Sequence, residues 1–218
     1  MAITYFGHSC FEIETQGRKI LIDPFFAYGQ NYNPQNLTDI FVTHGHGDHL
    51  GSAIELSKRT NAKITAIFEL ANYCTSKGAL TNGVGLGSVL EYDWGKAIAV
   101  PAFHSSSTPD GTYGGNPCGY IFEIEGKTFY HAGDTSLNTE MKMIGEIYQP
   151  DIAMLPIGGH YTMDIEHAVI ASEWLNAGTI IPMHYNTFDA IKVNITDFER
   201  QIREKGKMPL VMQINQTL

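Results

Sequence analysis

The chain contains little cysteine. Its 218 residues include only Cys10, Cys74 and Cys118, an odd number of widely separated thiols with no Cys-x-x-Cys pair. A disulfide framework needs an even set of cysteines at suitable spacings, so we expect none. Free thiols of this kind are typical of a reducing compartment, and the predicted location is the cytoplasm.

Positive charge is also scarce. The chain has 14 lysines and arginines against 23 acidic residues, a formal net charge of −9. Binding to duplex nucleic acid or to an anionic membrane surface depends on basic residues that neutralise phosphates. The sequence therefore predicts a small-molecule substrate rather than a nucleic-acid or membrane partner, and it leaves the formation of homo-oligomers open.

Long hydrophobic runs are absent. No apolar stretch approaches the ~20 residues that span a bilayer. The first ten residues contain neither a basic region nor an apolar core, so no targeting signal is expected. Low-complexity tracts, linkers and charge blocks are missing as well. We therefore predict that residues 1–218 form a single domain.

The hydrophobic pattern predicts strands in two sets, with helices after each set. This order is typical of two mixed sheets packed face to face with helices outside. A doubly wound sheet fits less well, because residues 3–22 and 119–131 read as antiparallel meanders. The predicted strands cover residues 3–6, 11–14, 19–22, 39–42, 63–67, 88–91, 96–101, 119–125, 127–131, 152–155, 179–182 and 210–214. The predicted helices cover residues 52–59, 69–77, 137–147, 164–175 and 196–204, and residues 105–117 are predicted to form a long loop.

The segment His44-Gly-His46-Gly-Asp48-His49 concentrates potential metal ligands. His44 and His46 are two residues apart, so they project to the same side of an extended chain. The two glycines allow the backbone to coil tightly, so that Asp48 and His49 also turn inward. Four ligands within six residues are too many for one local tetrahedral site. They fit two adjacent metals that are completed from elsewhere in the chain.

Three further residues are candidates for completing the metal sites. His104, Asp134 and His184 each lie just past the end of a predicted strand, where functional groups of layered α/β folds are usually found. Two dications would also offset the repulsion between Asp48 and Asp134.

Three other polar residues have two interpretations each. Asp23 is a candidate partner for the ring N–H of a ligand histidine, or else a turn residue before Pro24. His8 is either a substrate contact or a structural histidine. His160 follows a Gly-Gly turn and is predicted to bind substrate or donate a proton, the alternative being a loop residue packed on Tyr161.

These motifs resemble those of a known family. The stretch from Thr43 to Leu50 is similar to the signature of the metallo-β-lactamase superfamily. Five further segments resemble the bacterial and archaeal metal-dependent hydrolases of the UPF0173 group: 5–11 (YFGHSCF), 21–25 (LIDPF), 131–135 (HAGDT), 156–163 (PIGGHYTM) and 182–185 (PMHY). More distantly, they resemble the ascorbate-6-phosphate lactonases. The resemblance covers nearly the whole chain in the same motif order.

The resemblance implies a four-layer αββα sandwich with metals at one edge. It also implies a division of the ligands: His44, His46 and His104 for the first metal, Asp48, His49 and His184 for the second, with Asp134 bridging both. Histidine and aspartate ligands suit zinc, so two zinc ions are the first expectation, with manganese, iron or nickel as alternatives. A histidine at position 46, rather than a glutamate, argues against the oxygen-reducing diiron relatives.

The ligand set leads to a hypothesis of metal-assisted hydrolysis. Two metals about 3.5–4 Å apart would share a water and lower its pKa, so that hydroxide attacks a carbonyl carbon or a phosphorus. Asp48 or Asp134 is predicted to orient this nucleophile. The expected reaction is hydrolysis of a small ester, lactone or amide. The alternatives are a phosphodiesterase acting on a small phosphorylated metabolite and a non-catalytic metal-binding member of the fold.

Overall fold

The computed structural model describes residues 1–218, and its backbone contacts separate the chain into two units. The first unit comprises Met1–Ser88, Ser105–Pro117 and Gln213–Leu218. The second comprises Val89–His104 and Cys118–Met212. Each unit contains one mixed sheet of seven strands. The prediction of two mixed sheets with helices is therefore confirmed, while the single domain over residues 1–218 stays a prediction.

The sheet of the first unit has the strand order β14-β1-β2-β3-β4-β5-β6. Its strands are β1 (Ala2–Gly7), β2 (Cys10–Thr15), β3 (Arg18–Ile22), β4 (Leu37–Phe41), β5 (Lys63–Ile67), β6 (Thr81–Val84) and β14 (Gln216–Thr217). The β1/β2 and β2/β3 pairs are antiparallel, and β3, β4, β5 and β6 pair in parallel. Consequently β1, β3 and β4 run in the same direction and end at the same edge of the sheet.

Helices α1 (Gly47–Leu50), α2 (Ala53–Thr60) and α3 (Phe68–Ser76) belong to this unit. Helix α2 buries Ala53, Leu56 and Ser57, which lie on one face at helical spacing. Together with Ile40 and Ile64 of the sheet, the two apolar residues belong to one hydrophobic core. Packing of this face against the strands fixes the segment that leads out of β4.

The sheet of the second unit has the order β13-β12-β11-β10-β9-β8-β7. Its strands are β7 (Val89–Tyr92), β8 (Gly95–Pro101), β9 (Cys118–Ile124), β10 (Lys127–His131), β11 (Ile152–Pro156), β12 (Thr179–Met183) and β13 (Met208–Pro209). Strands β8, β9 and β10 pair antiparallel, whereas β10, β11 and β12 pair in parallel. Strands β8, β10, β11 and β12 therefore run in the same direction, and their carboxyl ends share one edge.

Three helices pack in the second unit: α4 (Glu140–Tyr148), α5 (Ile165–Leu175) and α6 (Ile195–Glu204). A short 3-10 helix, Asp189–Ile191, lies between β12 and α6. The carboxylate of Asp164 caps α5 by accepting a hydrogen bond from the backbone N–H of His167 at 2.8 Å. None of the helices in either unit has the length and apolar character needed to cross a membrane.

The predicted strand at Leu210–Ile214 is wrong. The chain instead forms two-residue strands at Met208–Pro209 and Gln216–Thr217, and the intervening residues are not part of a ladder. Asn215 has a φ of +64°, which turns the chain before β14. The apolar residues that prompted the prediction are placed by burial, as Met212 shows, rather than by strand pairing.

Two other elements differ from the sequence expectation. The pattern did not predict β6, because the Asn-Gly pair at positions 82–83 is typical of a turn. Helix α4 begins at Glu140 rather than near Leu137. The side chain of Asn138 explains this start, since its Oδ1 accepts a hydrogen bond from the backbone N–H of Glu140 at 3.1 Å.

A buried carboxylate between β2 and β3 yields a stability prediction. The hydroxyl of Tyr32 donates a hydrogen bond to Glu12, and Lys19 Nζ donates to the other carboxylate oxygen at 2.8 Å. Burial and the hydrogen bond to Glu12 raise the pKa of the Tyr32 hydroxyl well above its usual value. Tyr32→Phe should lower the free energy of unfolding by about 1–3 kcal/mol, because one oxygen of a buried anion loses its donor. Urea denaturation measures this change.

Tyr28→Phe is the matched control, because half of the Tyr28 surface is exposed. It should change the free energy of unfolding by only a few tenths of a kcal/mol, as surface substitutions usually do. If both substitutions changed the free energy of unfolding equally, the hydrogen bond from Tyr32 to Glu12 would not stabilise the fold.

Candidate metal centre

The first unit presents polar residues directly after three strands that end at the same edge. His8 follows β1, Asp23 follows β3, and the segment 43–49 follows β4. The topology therefore explains why residues far apart in sequence meet here. The carboxyl ends of strands are where layered α/β proteins usually place ligand-binding groups.

His44 and His46 bring two ring nitrogens to ligand spacing. Nε2 of His44 lies 2.9 Å from Nδ1 of His46, and the ring centroids are 4.5 Å apart. Ligand atoms bound about 2.0–2.1 Å from one ion are roughly 2.8–3.4 Å apart in octahedral or tetrahedral geometry. A Cβ on the intervening Gly45 would lie 3.0 Å from the backbone carbonyl carbon of Ser107, a contact so tight that a side chain here would push against this backbone.

Asp48 and His49 lie on the single turn of helix α1. The side chain of His49 is fully buried, whereas 28% of the Asp48 side chain is exposed. Gly51 ends the turn at a φ of +42°, and a Cβ on it would lie 2.3 Å from the carbonyl oxygen of Pro24. The turn is therefore pressed against the segment that follows β3, which holds both ligand candidates in place.

Asp23 organises this edge through three hydrogen bonds. Its Oδ1 accepts from the backbone N–H of Thr43 at 2.8 Å, and its Oδ2 accepts from the Thr43 hydroxyl at 2.8 Å. Oδ2 also accepts from Nδ1 of His49 at 2.7 Å. Because a carboxylate can only accept, Nδ1 of His49 carries the proton. The opposite nitrogen, Nε2, is then the one that can bind a metal.

The same carboxylate sets the tautomer of His44 through Thr43. The only hydroxyl proton of Thr43 goes to Asp23, so its oxygen accepts from Nδ1 of His44 at 3.1 Å. Nε2 of His44 therefore keeps its lone pair, and it is this atom that faces His46. Such outer contacts orient metal-binding histidines and fix their ring protonation.

The second unit gathers its three candidate ligands around one oxygen atom. Oδ2 of Asp134 lies 3.0 Å from Nε2 of His184 and 3.5 Å from Nε2 of His104. Asp134 and His184 are almost completely buried. These residues follow β10, β12 and β8, whose carboxyl ends share an edge. Each of the two distances from Oδ2 of Asp134 is close to the separation of two atoms that bind one ion.

Thr135 ties together the loops that carry these ligands. Its hydroxyl oxygen accepts from the backbone N–H of Phe103 at 3.0 Å, and its carbonyl oxygen accepts from the N–H of Met163 at 3.0 Å. The position of His104, next to Phe103, is thereby coupled to that of Asp134. Sequence reasoning did not identify Thr135 or Thr43. Their only signal is adjacency to a ligand candidate.

His160 lies on the exposed turn after β11. Its ring makes an edge contact with Tyr161, with centroids 4.5 Å apart. His160 therefore packs on Tyr161, as the alternative interpretation of a loop residue predicted, and its side chain is exposed to solvent. Its role in substrate binding or proton donation stays a prediction.

The donor set fits a metal centre. The seven candidates supply five imidazoles and two carboxylates, the nitrogen and oxygen ligands that zinc and related divalent ions bind. The three cysteines are buried thiols elsewhere in the chain and are not part of the donor set. The tautomers fixed through Asp23 also leave unprotonated ring nitrogens for a cation.

Comparison with known proteins identifies the family. A family model described as the β-lactamase superfamily domain matches residues 2–184. A UPF0173 metal-dependent hydrolase of Geobacillus thermodenitrificans is 48% identical over 200 residues, covering 88% of each chain. A second one, from Bacillus cereus, is 43% identical over 212 residues and 93% of each chain.

The chain belongs to the β-lactamase superfamily. Within it, the chain is a UPF0173-type metal-dependent hydrolase, as the resemblance of its motifs predicted. The solved structure of Igni18, described as a metallo hydrolase from Ignicoccus hospitalis, matches with a TM-score of 0.90 at 38% identity. The match covers 100% of this chain and 97% of that one. The predicted metallo-β-lactamase fold is thereby confirmed.

A prediction for this superfamily member concerns Asp23. Asp23→Asn replaces an acceptor-only group by an amide that cannot accept all three hydrogen bonds, so the ring tautomers of His44 and His49 are no longer fixed. Loss of such a partner typically lowers metal affinity by about 10–100-fold. Competition for Zn²⁺ with a chromophoric chelator measures the affinity.

Asp189→Asn serves as the control, because 95% of the Asp189 side chain is exposed and its partner Lys192 is itself largely exposed. Zinc affinity of Asp23→Asn equal to that of the control would show that Asp23 does not orient the ligands.

Proposed function

We propose that the chain hydrolyses a small ester, lactone or amide at a centre of two divalent metal ions. Family membership supports metal-dependent hydrolysis, and the ligand geometry supports the finer proposal of a dinuclear centre. The observation that carries it is the position of Asp134, whose Oδ2 lies 3.5 Å from Nε2 of His104 and 3.0 Å from Nε2 of His184. In the proposed centre each imidazole would bind a different ion, and this oxygen would be close enough to contact both.

The proposed division of ligands is the one that the family resemblance implies. His44, His46 and His104 would hold one ion, Asp48, His49 and His184 would hold the other, and Asp134 would contact both. Zinc is the first choice of metal, with manganese, iron or nickel as alternatives.

The side chains have distinct tasks in this proposal. When bound, a pair of divalent ions supplies a water of lowered pKa and stabilises developing negative charge on the substrate. Asp48 is the more exposed of the two candidate carboxylates, so it is the better placed to orient the attacking water by accepting one of its protons. Asp134 is buried, which suits a ligand. His160 is accessible to substrate and is assigned binding or proton donation to the leaving group.

We also place the protein in a reducing cytoplasm, acting on a small molecule. The burial of Cys10, Cys74 and Cys118 as free thiols supports this location.

Elemental analysis of the purified chain, combined with a substrate screen, tests the proposed function. We expect two equivalents of metal and hydrolysis within a panel of lactones, thioesters, esters and amides. Turnover of phosphodiesters alone would replace the proposal by the phosphodiesterase alternative. A fully loaded protein that hydrolyses no member of either panel would favour the non-catalytic alternative.

Substitution of the ligands provides a direct prediction. His46→Ala and Asp48→Ala should each reduce bound metal and lower kcat/KM by more than about 100-fold, because loss of an outer partner alone typically costs 10–100-fold. Metal content and turnover are measured on the same preparations. His167→Ala is the control, since His167 is exposed on α5 and contacts Asp164. Full turnover after the metal is lost would refute the proposal.

A further inference from the structure

His8 lies at the ligand edge of the first unit in a strained backbone conformation. The pairing of β1 with β2 is irregular between Tyr5 and Gly7, and the chain then takes positive φ values of +99° at Gly7 and +55° at His8. A left-handed conformation is unfavourable for a residue with a side chain, because its Cβ approaches the following carbonyl oxygen. The hydroxyl of Tyr5 donates a hydrogen bond to the carbonyl oxygen of His8 at 3.1 Å, which helps to hold this conformation.

The strained turn directs the imidazole of His8 onto Asp48. Nε2 of His8 lies 3.2 Å from Oδ2 of Asp48, and the His8 side chain is fully buried. Its ring makes edge contacts with Phe25 and His49, at centroid distances of 5.5 and 5.6 Å. One ligand atom from each of His8, Asp48 and His49 lies within 4.8 Å of the others. Strain that is maintained next to a candidate ligand indicates a functional constraint.

We propose that His8 is a positioning residue that donates its Nε2–H to Asp48 and holds this carboxylate in the orientation that binds metal. The proposal rests on the assignment of Asp48 as a ligand under the proposed function. A carboxylate only accepts hydrogen bonds, so the contact places the proton on His8. Complete burial of His8 argues against the substrate contact that the sequence left open.

The two ligands of helix α1 are then oriented in parallel ways. Asp23, after β3, orients His49, and His8, after β1, orients Asp48. Each ligand on the turn is held by a residue from the end of a different strand. Because 28% of the Asp48 side chain is exposed, its carboxylate would otherwise rotate toward water, and ordering it on metal binding would cost conformational entropy.

The test compares His8→Gln with His8→Met in the full-length chain after removal of metal by a chelator. The two side chains have similar length and face the same backbone strain, but only glutamine retains an N–H that reaches Asp48. Zn²⁺ affinity is measured by competition, and Co²⁺ absorption spectra report the ligand geometry. Asp48→Asn identifies which bound ion depends on Asp48, and His167→Gln is the control.

We expect His8→Met to weaken the ion that depends on Asp48 by about 10–100-fold, with His8→Gln restoring most of the affinity and the wild-type Co²⁺ spectrum. Unchanged affinity in His8→Met would overturn the proposal. Equal loss in both variants would also overturn it, because His8 would then act as a ligand itself. If His8→Met does not fold, His8→Asn replaces it, since asparagine tolerates the left-handed conformation and its amide is too short to reach Asp48.

This outcome is separate from that of the proposed function. Wild-type protein that binds fewer than two ions contradicts the dinuclear centre. The comparison of His8 variants still applies to any single ion that Asp48→Asn removes.

Discussion

The arrangement of the candidate metal ligands in the first unit depends on one buried carboxylate, that of Asp23. Asp23 fixes the ring protonation of His49 directly and that of His44 through the hydroxyl of Thr43. Without this arrangement, each ring would be free to present either a proton or a lone pair to a cation. The hydrogen bonds of Asp23 therefore decide which ring nitrogens keep a lone pair for a cation.

In the second unit, hydrogen bonds between loops hold the candidate ligands in position. Thr135 binds the backbone of Phe103 and Met163, so the loops after β8, β10 and β11 are fixed relative to one another. A further constraint comes from Gly158, where a Cβ would lie 2.3 Å from the carbonyl oxygen of His184. The candidate ligands after the strand ends are thus held in different ways: by hydrogen bonds to a carboxylate in the first unit, and by hydrogen bonds of the Thr135 hydroxyl and carbonyl to neighbouring loops in the second.

The sequence predicted the elements that carry strong local signals. Of the side chains that support the candidate ligands, it offered Asp23 as a partner for a histidine ring, without saying which histidine. The motif from His44 to His49 indicated a metal site by itself, because four ligand-type side chains within six residues are typical of one. The antiparallel pairing within residues 119–131 was equally clear from the sequence, and β9 and β10 form it. Strand β6 and the end of the chain were not predictable from local pattern, because Asn82-Gly83 resembles a turn and the apolar residues near Met212 are placed by tertiary burial.

The supporting residues were less predictable because their roles depend on the strand order. Asp23 and His8 were identified as polar residues after strands, but their partners could not be chosen from the sequence. The order β1-β2-β3-β4 brings positions 8, 23 and 44–49 to one edge and so decides the partners. Thr43 and Thr135 have no distinguishing pattern at all, because a threonine beside a ligand acquires its role only from the direction of its hydroxyl.

The charges of the proposed centre indicate what kind of step it can assist. Asp23, Asp48 and Asp134 contribute three negative charges and the attacking hydroxide would contribute a fourth, which together balance the four positive charges of two divalent ions. A loaded centre would therefore be near neutral overall, with its positive charge fixed on the ions, within a chain of net charge −9. Fixed positive charge in a partly buried site stabilises the negative charge that develops on a carbonyl oxygen during attack by water. It disfavours cationic groups at the reacting atom, so under this proposal selectivity for the rest of the substrate would come from residues beyond the ligands, for which the exposed His160 and Tyr161 are candidates.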